Sequence, residues 1–427
     1  MPIVDEKEYF KRRVTLGKKL NKNSVTVIFS ASFKTRSNDT EFPYRQNSNF
    51  YYLCGFKEEN ACLVFVKSKS SVKTFLFVQK KEKEKELWSG KRLGELKAKQ
   101  VFNVRDVFII DDLHQKMRKF LLNKKTLYYD FNESSSRVEQ LKKLSPTIYS
   151  YENIAYHIGL MRLIKSNLEI QSIQKAISIT KKAHHKAMAF QKLGKNEYHL
   201  QAKIENSFKK RGAYSDAYTS IVASGNAANT LHYIDNNKKL KDGELILIDA
   251  GCEFEYYASD ITRTIPVNGK FNEPQKELYN MVLNVELEII EMVKPNIMRS
   301  DLQKEAIILL TKGMLSLGIL NGSLKSLIKK EAYKKYYPHG IGHWMGIDVH
   351  DESPYRYKNG KEIALAEGMV LTIEPGIYLD KKDKSIPKKY RGIGIRIEDD
   401  ILVTRSGYKN LSVGIAKSVE EIENISS

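Results

Sequence analysis

Acidic side chains stand in or directly after apolar, strand-like runs in the C-terminal half of the chain. Asp249 ends "LILID", Asp260 lies in "YYASDITRTI", and Glu374 follows "MVLTI". Glu398 comes two residues after Arg396 in "RGIGIRIEDDILVT", so both side chains fall on one face of a strand. Carboxylates gathered in a core repel one another and lose hydration, so they need cations nearby. The pattern predicts a metal site built from these four carboxylates.

A structural role for each aspartate, taken alone, is the alternative interpretation. Asp260 is followed by Arg263, which could neutralise it in an ion pair. However, the chain between Asp249 and Asp260 is long enough for a turn around residues 253–257 and a returning strand. An antiparallel pair of strands would bring both carboxylates to one place, which favours a shared cation.

The segment "HGIGHW" at residues 339–344 contains two histidines four positions apart, a spacing typical of helical zinc sites. Gly340, Gly342 and the preceding Pro338 disfavour a helix here. The zinc-protease motif HExxH is absent, because glycine occupies its second position. We therefore expect a loop or irregular strand in which one imidazole, either His339 or His343, is a metal ligand.

The candidate donor atoms are mostly carboxylate oxygens with a single imidazole. Such a hard set suits divalent manganese, cobalt or magnesium better than a structural zinc ion. Two such ions held about 3.5 to 4 Å apart can share a hydroxide nucleophile at neutral pH. Metal-assisted hydrolysis is therefore the leading hypothesis from the residues themselves.

The elements that position these residues fall into two predicted domains, 1–160 and 161–427, because 427 residues exceed what one core usually serves. The apolar runs "SVTVIFSA", "ACLVFVKS", "VKTFLFVQ", "VRDVFIID" and "KTLYYDF" alternate with charged segments between residues 24 and 150. This alternation predicts a mixed α/β domain built on a sheet. Residues 160–210 have the apolar spacing of two helices with a break at Leu193 and Gly194.

The second predicted domain combines strands with two further long helices, so we expect an α+β arrangement. The helix "NEPQKELYNMVLNVELEIIEMVK" has Asn272 as its N-cap and Pro274 in its first turn. The helix "SDLQKEAIILLTKGMLSLGIL" is expected to be capped by Ser300 and Asp301. The adjacent His184 and His185 point about 100° apart on a helix, so they make a poor chelate. We expect them to be partly buried or at the surface.

Composition limits the classes of partner. The net charge of +20 arises from 71 Lys and Arg against 51 Asp and Glu, but segments such as "KKEKEKE" mix both signs along the chain. This pattern is typical of solvated surfaces and does not favour a nucleic-acid interface. Three cysteines without a CxxC pattern suit a reducing compartment, and no apolar run has the length of a signal peptide or membrane span. We expect a soluble protein in the cytoplasm.

The carboxylates and the histidine segment, taken with their neighbours, resemble the metal signature of the M24 pita-bread metallopeptidases. The segments concerned are "IDAGCEFEYYASDITRTIPVNGKF", "HGIGHWMGIDVHD", "LTIEPGIY" and "GIGIRIEDDILVT". They are most similar to the branch that contains aminopeptidase P and proline dipeptidase. "DTEFPYRQNSNFYYLCGFKEENACLVF" and "LWSGKRLG" resemble the N-terminal domain of bacterial aminopeptidase P. The resemblance implies a mixed α/β N-terminal domain followed by a pita-bread catalytic domain.

The resemblance also implies roles for individual residues. It implies two divalent ions, manganese or alternatively cobalt or zinc, with the ligands Asp249, Asp260, His343, Glu374 and Glu398. In the family pattern Asp260 and Glu398 bridge the ions, His343 and Glu374 bind one of them, and Asp249 binds the other. Glu374, His350 and His232 match catalytic positions. The positions that match substrate-side residues are His339, Tyr378, Arg396 and Trp88. Trp88 would reach the active site of a neighbouring subunit, which requires a homo-oligomer, either a dimer or a tetramer.

The implied activity is that of an Xaa-Pro aminopeptidase, which releases the first residue from peptides with proline in second position. In that mechanism a metal-bridging hydroxide attacks the scissile carbonyl, His350 stabilises the oxyanion and Glu374 carries a proton to the prolyl nitrogen. Two alternatives stay open. One is an Xaa-Pro dipeptidase, and the other is a catalytically inactive pita-bread module that binds peptides or proteins.

Overall fold

The computed structural model describes residues 2–133, 135–144 and 147–426. The chain divides into two compact units, Met1–Met161 and Arg162–Ser427. Each unit contains both helices and strands.

The first unit is built on one mixed sheet of six strands in the order β6-β5-β4-β1-β7-β8. The six strands are β1 Ser24–Phe29, β4 Cys62–Lys67, β5 Val72–Val78, β6 Asp106–Ile109, β7 Thr126–Tyr129 and β8 Ser150–Asn153. A separate two-stranded sheet consists of β2 Thr35–Ser37 and β3 Thr40–Glu41. Its helices are α1 Glu6–Lys19, α2 Ser48–Cys54, α3 Lys83–Ser89, α4 Gly94–Val101, α5 Leu113–Leu121, α6 Ser135–Lys142 and α7 Ile154–Arg162, the last of which ends at the boundary.

The five apolar runs predicted to be strands are β1, β4, β5, β6 and β7, so this part of the prediction is confirmed. β1 is antiparallel to β4 and parallel to β7, and it is buried at every position. A central strand covered on both faces requires such a continuous apolar run. β8 was not predicted, because "SYEN" is polar and none of its residues is buried.

The second unit carries its strands in short antiparallel sheets, which include β10-β11-β14, β13-β12-β9, β15-β18-β19 and β16-β17. Its strands are β9 Ser215–Asp216, β10 Ile221–Ser224, β11 Leu245–Asp249, β12 Cys252–Phe254, β13 Tyr257–Ala258, β14 Thr262–Pro266, β15 Val370–Ile373, β16 Gly376–Leu379, β17 Ile393–Arg396, β18 Asp399–Val403 and β19 Tyr408–Asn410. Its helices are α8 Asn167–Met188, α9 Glu197–Lys209, α10 Glu273–Glu291, α11 Arg299–Ser316, α12 Leu324–Lys329 and α13 Val419–Ser426. The α+β arrangement is as predicted.

The helix starts in this unit show where local sequence decides and where it does not. α10 begins after Asn272, whose side chain accepts the Gln275 backbone N–H, as predicted. The predicted cap of α11 is wrong, because its N-cap is Met298 and Ser300 already lies inside the helix. The carboxylate of Glu362 accepts the Ser300 backbone N–H at 3.0 Å. A distant acidic side chain thus satisfies a donor that a local cap would otherwise satisfy.

His184 and His185 lie on α8, and His184 is fully buried, which corrects the prediction of a partly buried or surface residue. The His184 Nε2 atom is 2.9 Å from the carbonyl oxygen of Ala250, the residue after Asp249. His185 is only half-buried, and its Nε2 accepts the Ala416 N–H at 3.2 Å. α8 therefore contacts the end of β11 through the hydrogen bond between His184 and Ala250. The described helices include none with both the length and the apolar character of a membrane span.

Candidate metal centre

Asp249 and Asp260 are brought together by the pairing of β11 with β14. The register places Asp249 opposite Thr262, so Asp260 lies only two residues before that cross-strand position. The chain between them forms the small hairpin β12–β13, whose turn residues Glu255 and Tyr256 have φ values of 49° and 71°. The predicted arrangement of a strand, a turn and a returning strand is confirmed. The connection between the two strands also contains the hairpin β12–β13.

The alternative ion pair between Asp260 and Arg263 is wrong. Arg263 is completely buried and its guanidinium donates to Asp399 Oδ1 at 2.7 Å and to the Glu398 carbonyl oxygen at 2.6 Å. Side chains alternate across a strand, and Arg263 lies on the opposite side of β14 from the residues that face Asp249. Asp260 is therefore left facing the other acidic groups.

Glu374 and Glu398 each accept a hydrogen bond from a threonine hydroxyl. Glu374 follows β15 and accepts a hydrogen bond from Thr372 Oγ1 at 3.2 Å. Glu398 lies between β17 and β18, and its Oε2 accepts from Thr262 Oγ1 at 2.7 Å. Each glutamate keeps a carboxylate oxygen beyond these bonds for another partner.

His343 is held on a loop, as the glycines predicted, and only its Nε2 atom faces the carboxylates. Its backbone N–H donates to Thr372 Oγ1 at 3.0 Å, and its Nδ1 is 3.0 Å from the Trp344 carbonyl oxygen. A Cβ atom at position 342 would lie 1.9 Å from the Thr372 carbonyl oxygen, so glycine is required for this close approach. Trp344 is 1% exposed and stacks on Tyr355, which closes the site from behind.

The predicted ligands form overlapping groups whose ligand atoms lie within 4.8 Å of one another. The groups are Asp249, Asp260 and Glu398; His343, Glu374 and Glu398; and Asp260, His343 and His350. Asp260, His343 and Glu398 each belong to two of these groups, so the three groups share members and form one cluster. All of these side chains line one cavity of about 90 Å³.

The electrostatics of this cavity fit divalent cations. Burial and neighbouring carboxylates raise the pKa of Asp249 and, much further, that of Glu398, and burial raises the pKa of Glu374 to about 7. Burial disfavours the charged form of His343, but the hydrogen bond and charge of Asp260 outweigh it and raise this pKa to about 9. Asp249 Oδ1 is buried without a hydrogen-bond partner among the described residues. Two divalent ions would balance four carboxylates and satisfy that oxygen.

The other predicted histidines line the same cavity. His232, His339 and His350 are all among its lining residues. The rings of His343 and His350 are 4.2 Å apart between centroids, and burial together with His343 lowers the pKa of His350. Burial, with help from the Arg396 charge, lowers the pKa of His339 to about 4, so this ring is neutral at pH 7.

A hydrogen-bonded chain connects His339 to Asp249. Arg396 donates from Nη2 to Asp249 Oδ2 at 2.6 Å and from Nη1 to the Tyr378 hydroxyl at 2.9 Å. Because that hydroxyl accepts from Arg396, its own proton points to His339 Nε2, 2.8 Å away. The proton of the neutral His339 ring is then on Nδ1, which donates to the Gly340 carbonyl oxygen at 2.8 Å.

Comparisons with known proteins decide the family. Residues 171–405 match the model described as Metallopeptidase family M24, and residues 9–128 match Aminopeptidase P, N-terminal domain. The chain belongs to metallopeptidase family M24. The resemblance that the sequence suggested is therefore confirmed, together with the order of the two domain types that it implied.

Members of family M24 with curated names match this chain over its whole length. It is 39% identical over 433 residues to the Xaa-Pro aminopeptidase of Haemophilus influenzae. That alignment covers 100% of this chain and 98% of the relative. The chain is 37% identical over 438 residues to the Xaa-Pro aminopeptidase of Escherichia coli, with 99% and 98% covered. The fold superposes on Proline aminopeptidase P II from Yersinia pestis with a TM-score of 0.95, at 35% identity and 99% coverage of both chains. The predicted fold class is confirmed.

Two buried groups next to the predicted metal ligands were not predicted. The Tyr218 hydroxyl is buried, and burial together with the charges of Asp249 and Asp260 raises its pKa well above the ordinary value. Asp400 is fully buried and its Oδ2 accepts the Asp260 backbone N–H at 3.1 Å. The acidic pair within "IEDDILV" was a usable signal for Asp400, whereas nothing local in the sequence marks Tyr218.

Two predicted site residues do not line this cavity: Tyr378, which contacts the lining residues His339 and Arg396, and Trp88. Trp88 lies on α3 in the first unit, and its side chain is 91% exposed. Leu87 and Leu96 nearby in sequence are also strongly exposed. An exposed tryptophan with two exposed leucines nearby in sequence is a candidate contact for a partner.

Proposed function

We propose that this M24 chain is a metal-dependent Xaa-Pro aminopeptidase, which releases the N-terminal residue from peptides with proline in second position. The observation that carries the proposal is the site itself, in which the metal-ligand groups share one cavity with His232, His339 and His350. Full-length similarity to Xaa-Pro aminopeptidases supports the same activity. We assign residues 1–160 to the aminopeptidase P-type domain and 161–427 to the catalytic domain.

The proposed ligands of two divalent ions are Asp249, Asp260, His343, Glu374 and Glu398. Asp260 and Glu398 are proposed as bridges, because each belongs to two of the ligand groups and, unlike His343, has two carboxylate oxygens to offer. We propose manganese as the physiological metal, since a donor set dominated by carboxylates suits it. Cobalt and zinc are the alternatives, and E. coli aminopeptidase P has been solved in a zinc-substituted form with product.

The bond to be cleaved explains why this site is specialised. An Xaa-Pro bond is a tertiary amide with no N–H, and the proline ring restricts the residue before it. When bound, the two ions would polarise the scissile carbonyl and lower the pKa of a water molecule. We propose that Glu374 transfers a proton from that water to the prolyl nitrogen, because it lies at the cavity beside His343. Protonation of this nitrogen allows the C–N bond to break.

His350 and His232 are proposed to act on the substrate carbonyl and the peptide backbone. Both rings line the cavity, and the centroid of the His350 ring lies 4.2 Å from that of His343. An imidazole N–H aimed at the carbonyl oxygen would stabilise the negative charge that develops there. A neutral donor suffices for this role, and burial of His350 favours its neutral form.

His339, Tyr378 and Arg396 are proposed to shape the substrate side of the cavity. Their hydrogen bonds fix the His339 ring in one tautomer and one orientation. A neutral, immobile ring presents an apolar face, which suits the ring of a prolyl residue. Arg396 remains charged and holds Asp249 in place.

Trp88 supports a proposal about assembly. Its 91% exposure in one chain would be relieved if it packed against a second copy. We propose a homo-oligomer, a dimer or a tetramer, in which Trp88 contributes to the substrate site of a neighbouring subunit. We also propose a cytoplasmic location, because Cys54, Cys62 and Cys252 are all buried free thiols.

Two alternatives make different predictions for one experiment. An Xaa-Pro dipeptidase would cleave Xaa-Pro dipeptides only, and an inactive binding module would cleave nothing. The test is hydrolysis of an Xaa-Pro-Yaa tripeptide beside the Xaa-Pro dipeptide, with added manganese, followed by chromatography of the released amino acid. Tripeptide cleavage between the first residue and proline supports the proposal. Cleavage of the dipeptide alone, or of neither peptide, contradicts it.

A further inference from the structure

The loop that carries His350 is tied to the start of the second unit by a buried ion network. Arg162 Nη2 donates to Asp348 Oδ2 at 2.6 Å and to Asp351 Oδ1 at 2.5 Å. Lys165 Nζ donates to Asp351 Oδ2 at 3.2 Å. The side chains of Arg162, Lys165 and Asp351 are 1%, 1% and 0% exposed. The three charges are therefore fixed relative to one another.

Asp351 also closes the loop on itself. Its backbone N–H donates to the Trp344 carbonyl oxygen at 2.9 Å, and its side chain accepts from the Asp348 N–H at 3.4 Å and the Ser353 hydroxyl at 3.3 Å. The closed segment thus begins next to the ligand His343 and ends next to His350. Burial opposes the ionised form of Asp351, but Arg162 and Lys165 outweigh burial and lower its pKa to about 2.

Glycine at position 346 leaves space for the side chains of Lys165 and Asp351. A Cβ atom at position 346 would lie 2.9 Å from Lys165 Cε and 3.0 Å from Asp351 Oδ2, so any larger residue would press on this pair. The Lys165 backbone N–H donates to the Gly368 carbonyl oxygen at 2.8 Å, which anchors the cation from the other side.

Stability alone is a poor explanation for such a network. Dehydrating two cations and a carboxylate costs several kcal/mol per ion, and apolar side chains of similar volume often stabilise a core as well or better. The contribution that apolar packing cannot supply is direction, because charged hydrogen bonds fix atoms at defined positions. The part of the loop that needs direction is His350, whose ring makes no hydrogen bond with any described residue. Its position is set by its backbone and by the contact with His343.

We propose that Arg162, Lys165 and Asp351 are positioning residues that hold His350 at the carbonyl-binding side of the cavity. The inference rests on the proposed function for its effect on catalysis. None of the three side chains lines the cavity, so they act through the adjacent backbone. Their loss would misplace the His350 N–H while the metal ligands keep their own supports.

The main variant is Asp351→Asn, which keeps the size of the side chain and removes its charge. Because a displacement of about 1 Å can lower a rate on the order of 100-fold, we expect kcat to fall 10- to 100-fold. KM and metal content should stay within about threefold of the wild-type values, since ground-state binding and the ligands are retained. Glu286→Gln is the matched control, because Glu286 is a fully buried carboxylate paired with Lys417 and lies outside the cavity.

Arg162→Lys is the second variant, in case Asp351→Asn does not fold. Arg162 reaches both aspartates through the single atom Nη2, and the shorter lysine side chain places its nitrogen away from that position, so kcat should fall less than in Asp351→Asn but more than in Glu286→Gln. The inference is overturned if Asp351→Asn and Arg162→Lys lose no more kcat than Glu286→Gln. It is also overturned if the activity falls because KM rises or because less metal is bound.

Hydrogen exchange separates this inference from the proposed function. Amide exchange in residues 344–353 should be faster in Asp351→Asn and unchanged in Glu286→Gln, whether or not the wild-type protein cleaves Xaa-Pro peptides. Equal exchange of this segment in both variants overturns the positioning role. A wild-type protein with no peptidase activity, but with the expected exchange difference, contradicts the proposed function alone.

Discussion

The Nε2 atom of His343 lies 3.3 Å from Asp260 Oδ2, while Nδ1 of the same ring faces the Trp344 carbonyl oxygen. The backbone therefore determines which nitrogen faces the acidic cluster. A histidine oriented in this way through its other nitrogen is typical of metal sites. Burial opposes the charged form of the His343 ring, but the hydrogen bond and charge of Asp260 outweigh burial and raise its pKa to about 9.

Replacing Asp260 by Asn should remove activity and leave the fold intact. Asp260 belongs to two ligand groups, and a neutral amide cannot neutralise two cations. We expect kcat/KM to fall by at least about 1000-fold, with bound metal reduced, because a bridging ligand affects both ions. Circular dichroism and metal analysis accompany the assay, and Asp301→Asn, at a side chain that is 46% exposed on α11, is the control. Full activity of Asp260→Asn would show that the ligand assignment is wrong.

Replacing Tyr218 by Phe should weaken metal binding without removing any proposed ligand. The buried hydroxyl faces the charges of Asp249, Asp260 and Glu398. Loss of a polar group that supports a ligand typically lowers metal affinity about 10- to 100-fold. Manganese titration of the metal-free protein measures the change, with Tyr214→Phe on an exposed side chain as control. An unchanged manganese affinity would exclude a supporting role for Tyr218.

Replacing Tyr378 by Phe should affect substrate use and stability together. The variant removes the partner of Arg396 Nη1 and the donor to His339 Nε2. A buried donor left without a partner costs about 1–3 kcal/mol of unfolding free energy. We also expect a change in kcat/KM for Xaa-Pro substrates, because the His339 ring is no longer fixed. Urea denaturation measures the stability and peptide kinetics measure the substrate use. A variant that matches the wild type in both would contradict the hydrogen-bonded chain from His339 to Asp249.

Acid should destabilise the protein through His184. Burial lowers its folded pKa to about 4 from the ordinary 6.5, so the folded state favours the neutral ring. The contribution to stability is complete above pH 6.5 and is lost as the pH falls towards 4, because the unfolded chain binds the proton first. Between pH 7 and pH 5 this loss is about 2 kcal/mol. In His184→Gln, whose amide can still donate to Ala250, the unfolding free energy should fall less over that range. Equal pH dependence in both proteins would contradict this role.

Replacing Trp88 by Ala should weaken assembly and lower kcat/KM in parallel. Its side chain is 91% exposed in the single chain, and we propose that a second subunit covers it. Light scattering with size-exclusion chromatography gives the mass, and Tyr149→Ala, at 72% exposure, is the control for loss of a surface aromatic. A wild-type monomer with full activity would exclude the shared-site proposal.

The sequence predicted those features that depend on neighbouring residues. The buried runs of β1, β4 and β5 were clear from their apolar content, and the start of α10 was clear from Asn272 and Pro274. The glycines of "HGIGHW" indicated the loop, since Gly342 must pass close to Thr372. The grouping of the carboxylates followed from the cost of burying them without cations.

Features that depend on distant residues could not be predicted in this way. The start of α11 is displaced because Glu362, far along the chain, accepts the Ser300 N–H. Arg263 pairs with Asp399 instead of the nearby Asp260. The Arg263 side chain lies on the face of β14 opposite to the acidic cluster. Tyr218 and the network of Arg162 with Asp351 became apparent only when tertiary contacts were known.

Titration of the metal-free protein with manganese, while tripeptide hydrolysis is followed, tests the proposed metal-dependent cleavage most directly. Calorimetry or metal analysis counts the ions bound per chain, and the same samples are assayed with an Xaa-Pro-Yaa peptide. We expect activity to appear with manganese, two ions to bind per chain, and Asp260→Asn to lose the activity and bind less metal. Cleavage of the tripeptide at full rate by the metal-free protein, or manganese binding without any cleavage, would contradict this proposal.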